Sequence, residues 1–121
     1  MAARSLVVKV TVGKDEPERC NQALTVAATA VASGVHVSLW LTGEASWFAL
    51  PDGCPDLNLP HATPLADLLV TVLKGGTVTV CGQCAARREI TEDDLVGGAR
   101  IAGAATFVAE ALAEGAQALV Y

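Results

Sequence analysis

Hydrophobic positions along the chain follow two rhythms, one suited to strands and one to helices, and the two alternate. Ser5-Leu-Val-Val-Lys-Val-Thr-Val12 is a short, β-branched, nearly continuous apolar run, the pattern of a strand covered on both faces. Asp15-x-x-Glu18 then reads as a capping box, with Pro17 in the first turn, where its missing N–H does no harm. The helix it opens carries Cys20, Ala23, Leu24, Ala27, Ala28 and Val31 on one stripe and ends at Gly34. Val35 to Leu41 is a second strand, and Glu44 to Leu50 a short helix or turn. Pro51 to Pro64 has no periodicity and reads as a long surface loop holding Cys54 and His61. Thr63-Pro64 caps the next helix, striped by Leu65, Leu68, Leu69, Val72 and Leu73 and closed by Gly75-Gly76. Thr77 to Cys81 is the third strand; Thr91 with Glu92, Asp93 and Asp94 starts a short helical turn. Ala99 to Ala102 reads as a brief strand. Ala104, Phe107, Val108, Ala111 and Leu112 stripe the last helix, which Gly115 ends, and Ala118 to Tyr121 is the final strand.

Strands alternating with helices of this length predict an α/β domain. The expected form is a three-layer, flavodoxin-like fold: five strands, mostly parallel, with helices on both faces and strand order 2-1-3-4-5. The 121 residues suit one domain over 1–121, and no repeat or linker interrupts them. Ala23 to Leu41 is apolar enough to raise a membrane span, but Ser33-Gly34 breaks it, and a helix followed by a buried strand explains it better. The start of the chain lacks a signal-peptide pattern, so a soluble, cytoplasmic protein is expected.

Composition narrows the partners. The net charge of −5 argues against nucleic acid or an acidic membrane surface, both of which need clustered Lys and Arg. Four unevenly spaced cysteines do not make a secreted disulfide scaffold. With only 4% aromatic residues, the core must be built from Ala, Val and Leu. Trp40 is assigned to that core. Trp47 and Phe48, adjacent on a short helix, cannot both face inward, and one of them is available to a subunit interface.

The chemistry concentrates at Cys81-Gly82-Gln83-Cys84. In an open parallel sheet the working crevice lies beyond the carboxyl ends of the strands, and Cys81 ends the third strand, expected to be central. A helix starting there would favour the thiolate through its N–H groups and dipole, with Arg87 and Arg88 adding positive charge. Gly82 would let backbone approach whatever the sulfur holds, and the C-x-x-C spacing lets Cys84 attack a disulfide or persulfide on Cys81. Other readings stay open. The pair can be inert buried thiols in a non-catalytic oligomeric binding or assembly subunit. It can also be half of a structural zinc site completed from Cys54, His61, Cys20 and His36, although none stands at zinc-finger spacing. Cys20 reads as core. Gly13-Lys14-Asp15 lacks the phosphate-loop and dinucleotide patterns, so no cofactor is expected and no metal is assigned.

Val80-Cys-Gly-Gln-Cys-Ala-Ala-Arg-Arg-Glu-Ile90 resembles the DsrE/DsrF-like family, which includes the TusD-type sulfur-relay subunits and small proteins sometimes labelled predicted peroxiredoxins. Gly34-Val-His-Val-Ser-Leu-Trp-Leu41, Asp94-Leu-Val-Gly-Gly98 and Ala118-Leu-Val-Tyr121 match that family in character, so the resemblance spans essentially the whole chain. It implies a flavodoxin-like sheet, a homotrimer or homohexamer, a sulfur donor or acceptor protein as partner, and transient persulfide transfer. Cys81 then matches the sulfur-carrying cysteine and Cys84 the second cysteine of C-x-x-C members. Glu89 stands where the family usually has Gly.

Overall fold

The structure, a computed structural model, describes residues 4–121; the first three residues of the domain expected over 1–121 lie outside the described residues. Five strands, β1 (Ser5–Val10), β2 (His36–Leu41), β3 (Gly76–Cys81), β4 (Ala99–Ala102) and β5 (Ala116–Val120), form one sheet in which every pairing is parallel. The helices are α1 (Pro17–Ala32), α2 (Leu65–Gly75), α3 (Gly82–Arg87) and α4 (Ala104–Ala111), with 3-10 segments at Gly43–Ala49 and Glu92–Asp94. The α/β class, the parallel sheet and helices on both faces agree with the sequence reading. No described helix is long and apolar enough to cross a membrane.

The strand order corrects the expectation. It is β4-β3-β2-β1-β5 rather than 2-1-3-4-5, so β2 is central and β3 lies between β2 and β4. The reason is written in the alternation of side chains. One face of the sheet presents Val8, Val10, Val37, Leu39, Leu41, Val78 and Val80, all in the apolar core with α1 and α2. The opposite face presents Lys9, Ser38, Trp40, Thr77, Thr79 and Arg100, because side chains alternate along each strand. A flavodoxin-like order needs two apolar beds. Here only one face offers a broad one, and α1 and α2 pack side by side upon it. Each step from β1 to β4 moves the same way, so right-handed crossovers put the intervening helices on one face. The return from β4 to the far edge carries α4 across the other.

Local details differ for equally physical reasons. Asp15 does not cap α1: the N-cap is Glu16 without a side-chain cap bond, and Asp15 Oδ1 accepts the Gly13 N–H instead at 2.7 Å. Thr63 does not cap α2 either, since the N-cap is Pro64. Gly75 and Gly76 carry α2 directly into β3. A Cβ at Gly75 would sit 2.4 Å from Val31 Cγ1, and one at Gly76 2.4 Å from the Val37 carbonyl oxygen, so close approach of neighbours is what requires glycine. Phe48 is buried and Trp47 faces outward, its Nε1 donating to Glu44 Oε2 at 3.3 Å. Thr91 and Asp94 form the capping box that starts the second 3-10 segment.

The α4 stripe also needs correction. Of Ala104, Phe107, Val108, Ala111 and Leu112, Phe107 docks on the sheet, edge-to-face on Trp40 with ring centroids 5.4 Å apart, and Ala111 is half-buried. Val108 and Leu112 are 50% and 80% exposed. The helix is held down instead by Glu110. Its Oε1 accepts from Ser38 Oγ and from Trp40 Nε1 at 3.0 Å, and its Oε2 pairs with Arg100 at 2.6 Å.

Candidate functional site

Cys81 is the last residue of β3 and the N-cap of α3, so strand passes into helix at the sulfur-bearing residue itself. The β3–β4 boundary at this end is where consecutive connections leave for opposite faces, the switch point at which open parallel sheets make a crevice. Cys81 is only partly buried and shares its row with Ala102 on β4. Burial works to raise its pKa. The opposing contributions prevail: the amides of Cys84 and Gln83, the Cys84 thiol and the charge of Lys9 together hold it below the usual thiol value of 9.0. No side-chain cap hydrogen bond closes on the sulfur, so the first-turn amides act on it as oriented dipoles.

Cys84 lies beside Cys81 one turn into α3, and its sulfur accepts the Gly43 N–H at 3.3 Å. Gly43 has a φ of 56° and lies so close to β1 that an added Cβ would be 2.5 Å from the Thr11 carbonyl oxygen. The turn after β2 therefore reaches Cys84 only with glycine at that position. Gly82 is less constrained: a Cβ there would meet Ala102 O at an ordinary 3.6 Å.

The two arginines are engaged elsewhere. Arg88 binds Glu44 Oε2 through Nη2 at 2.9 Å and Nε at 3.1 Å, and donates to the Cys84 carbonyl at 3.2 Å. Arg87 reaches Gln83 Oε1 at 3.4 Å. Arg88 thus fastens α3 to the 3-10 turn, and the cation acting on Cys81 is Lys9, which the sequence reading did not single out. Its only signal there was a charged residue at an inward-alternating position of an otherwise apolar strand.

The proposed zinc ligands do not converge on the pair. Cys20 is fully buried on α1, and burial, then the nearby Cys54 and Asp15, push its pKa up to about 12. Burial likewise pushes Cys54 up to about 11. His36 begins β2, at the end of the sheet opposite Cys81 and Cys84, while His61 is exposed in the long loop with a φ of 65°. Among the described residues no group of three or more His, Cys, Asp or Glu side chains is placed to hold a metal ion. The loop instead lines a cleft of about 290 Å³ with Asn21, Cys54, Leu57, Leu59 and Leu65, away from Cys81.

Glu89 ends α3 with a φ of 56°. Ile90 N–H bonds Ala85 O at 2.9 Å and Glu89 N–H bonds Ala86 O at 3.2 Å, the paired closure of a Schellman motif, with Ile90 buried beneath it. The left-handed residue of such a motif is ordinarily glycine.

Comparison with known proteins agrees with this architecture. The structure of ychN protein from E. coli superposes with a TM-score of 0.80 at 17% identity, over 98% of this chain and 99% of that one. The protein of unknown function MTH1491 from Methanobacterium thermoautotrophicum gives 0.70 at 11% identity, over 99% and 100%. Uncharacterized protein MJ0989 from Methanocaldococcus jannaschii is 32% identical over 85 residues, 70% of this chain and 72% of its own length. The model of the DsrE/DsrF-like family matches residues 4–121, and the chain belongs to that family.

Proposed function

We propose that the protein is a small sulfur carrier that accepts sulfane sulfur on Cys81 and passes it on or releases it with the help of Cys84. Family membership supports a thiol or sulfur-relay protein in general. The finer reading is carried by one observation: of the four cysteines, Cys81 alone combines partial exposure at a strand-to-helix junction with a lowered pKa, whereas burial raises Cys20 and Cys54.

In the uptake step the Cys81 thiolate attacks the outer sulfur of a persulfide donor, R–S–SH. The donor S–S bond breaks, its electron pair leaves with R–S as the thiolate, and Cys81 becomes Cys–S–SH. An acceptor thiolate then removes the outer sulfur and regenerates the Cys81 thiolate. Alternatively, the Cys84 thiolate attacks the inner Cys81 sulfur, forming the Cys81–Cys84 disulfide and expelling hydrosulfide. No outside oxidant is required for either outcome. A reducing compartment such as the cytoplasm suits a resting dithiol. The partners are a donor or acceptor protein and further copies of this chain as a trimer or hexamer, whose contacts would cover Val108 and Leu112.

Mass spectrometry of native protein treated with a small persulfide donor tests the reading. Wild type should gain one sulfur on Cys81, Cys84→Ser should hold it longer, and Cys81→Ser should gain none. Equal labelling of wild type and Cys81→Ser would end the case for this cysteine.

A further inference from the structure

We infer that Lys9 is a positioning residue of the sulfur site, an ammonium held by the ring of Phe107 on the Cys81 side of the sheet to pair with an anionic sulfur. The inference rests on the function proposed for Cys81 and adds the charge that this function needs.

The placement follows from register. Lys9, Trp40, Thr79 and Arg100 occupy one row across β1, β2, β3 and β4, and all project from the face that α4 crosses. Cys81 stands two residues beyond Thr79 on that same face, since alternate residues share a side. Strand spacing and rise put the Lys9 and Cys81 backbones about 12 Å apart, and the Lys9 charge reaches the Cys81 sulfur across that gap. The ammonium is not left to wander: Nζ lies over the Phe107 ring, 4.7 Å from its centroid. Phe107 is itself fixed edge-to-face on Trp40, and α4 is anchored by Glu110 on Ser38, Trp40 and Arg100. A lysine on a sheet face beneath a helix carries a desolvation cost, and no carboxylate partner for it is present among the described ion pairs. Its pairing with an anion that forms only when Cys81 ionises, or when Cys81 carries a persulfide, accounts for a cation at this position.

Two other cations on neighbouring elements are already paired with carboxylates. Arg88 of α3 is bound to Glu44 of the Gly43–Ala49 turn, and Arg100 of β4 to Glu110 of α4. Arg87 of α3 donates to the neutral Gln83 side chain on the exposed side of that helix, and the Cys84 side chain lies beside the Cys81 sulfur. Lys9 is the cation whose charge acts on the Cys81 sulfur.

The test is the pH profile of Cys81 alkylation by iodoacetamide in the native protein, read by peptide mass spectrometry for wild type, Lys9→Met and Lys9→Arg. Lys9→Met should move the profile to higher pH, with alkylation at pH 7 roughly three- to tenfold slower, and Lys9→Arg should restore it. Native folding of each variant is checked by its thermal transition, and the conservative arginine variant keeps the inference testable if Lys9→Met is unstable: a profile with Lys9→Arg that still lies below the ordinary thiol range supports the role. An unchanged profile in Lys9→Met overturns the inference while leaving Cys81 as the sulfur site. A wild-type Cys81 that titrates as an ordinary thiol overturns both.

Discussion

Single residues decide how the sulfur is presented, and Glu89 is the clearest case. The hydrogen bonds that close α3 need a left-handed residue at that point, and a side chain there collides with its own backbone unless the chain is held in place. The departure from glycine visible in the sequence is therefore a conformational cost at the end of the cysteine-bearing helix. Glu89→Gly should stabilise the protein by about 1 kcal/mol, read as a higher urea midpoint with an unchanged denaturant slope. The change sits on the surface and touches neither cysteine, so Cys81 reactivity should stay the same. A lower midpoint would mean that the Glu89 side chain makes a contact worth more than the strain. The cysteines themselves divide by environment rather than by spacing. The strand-end placement of Cys81 was legible in the sequence, and so was the burial of Cys20 on an apolar helical stripe.

Among the elements, α4 was read correctly as a helix and wrongly as to the side it buries. Its apolar stripe is continuous through Val108 and Leu112, yet the side turned to the sheet is the one with Phe107 and Glu110, because the sheet beneath is polar there. That polarity was present in Ser38, Thr77, Thr79 and Arg100, but the strands were read by their apolar content instead of their alternation. The same alternation underlies the strand order and the place of Lys9 on the polar face. Burial would raise the Glu110 pKa, but the bonds from Ser38, Trp40 and Arg100 and the Arg100 charge bring it below the ordinary 4.5. A depressed carboxylate contributes stability that is present above pH 4.5 and lost as pH falls through its folded value. Glu110→Gln should lower stability by roughly 1–3 kcal/mol at neutral pH, and its deficit against wild type should shrink as the pH is taken below 4.5. A deficit that stays constant across that range would assign the loss to packing and not to charge.

At the scale of the whole molecule, the misread stripe poses a question of its own: what covers it. Val108, Leu112, Leu119 and Val120 lie on α4 and β5, the short helix and the edge strand that close the chain, and all four are exposed. Among the described residues, β5 also leaves one edge of the parallel sheet without a neighbour. An interface of standard size takes about 800 Å² from each partner, close to an eighth of the 6575 Å² surface of this chain. In the oligomer proposed above, each exposed apolar side chain covered by a second copy would contribute on the order of 1–2 kcal/mol. Light scattering should then give a mass several times 12.4 kDa, and Leu112→Glu should reduce it, because a buried unpaired carboxylate opposes association. The substitution lies on the solvent side of α4, opposite Phe107, so the isolated fold and the Lys9–Cys81 geometry should persist in the dissociated form. Persulfide uptake by that form separates the two roles of this end of the molecule: retained uptake means that one chain holds a complete sulfur site, and lost uptake means that a neighbouring copy completes it.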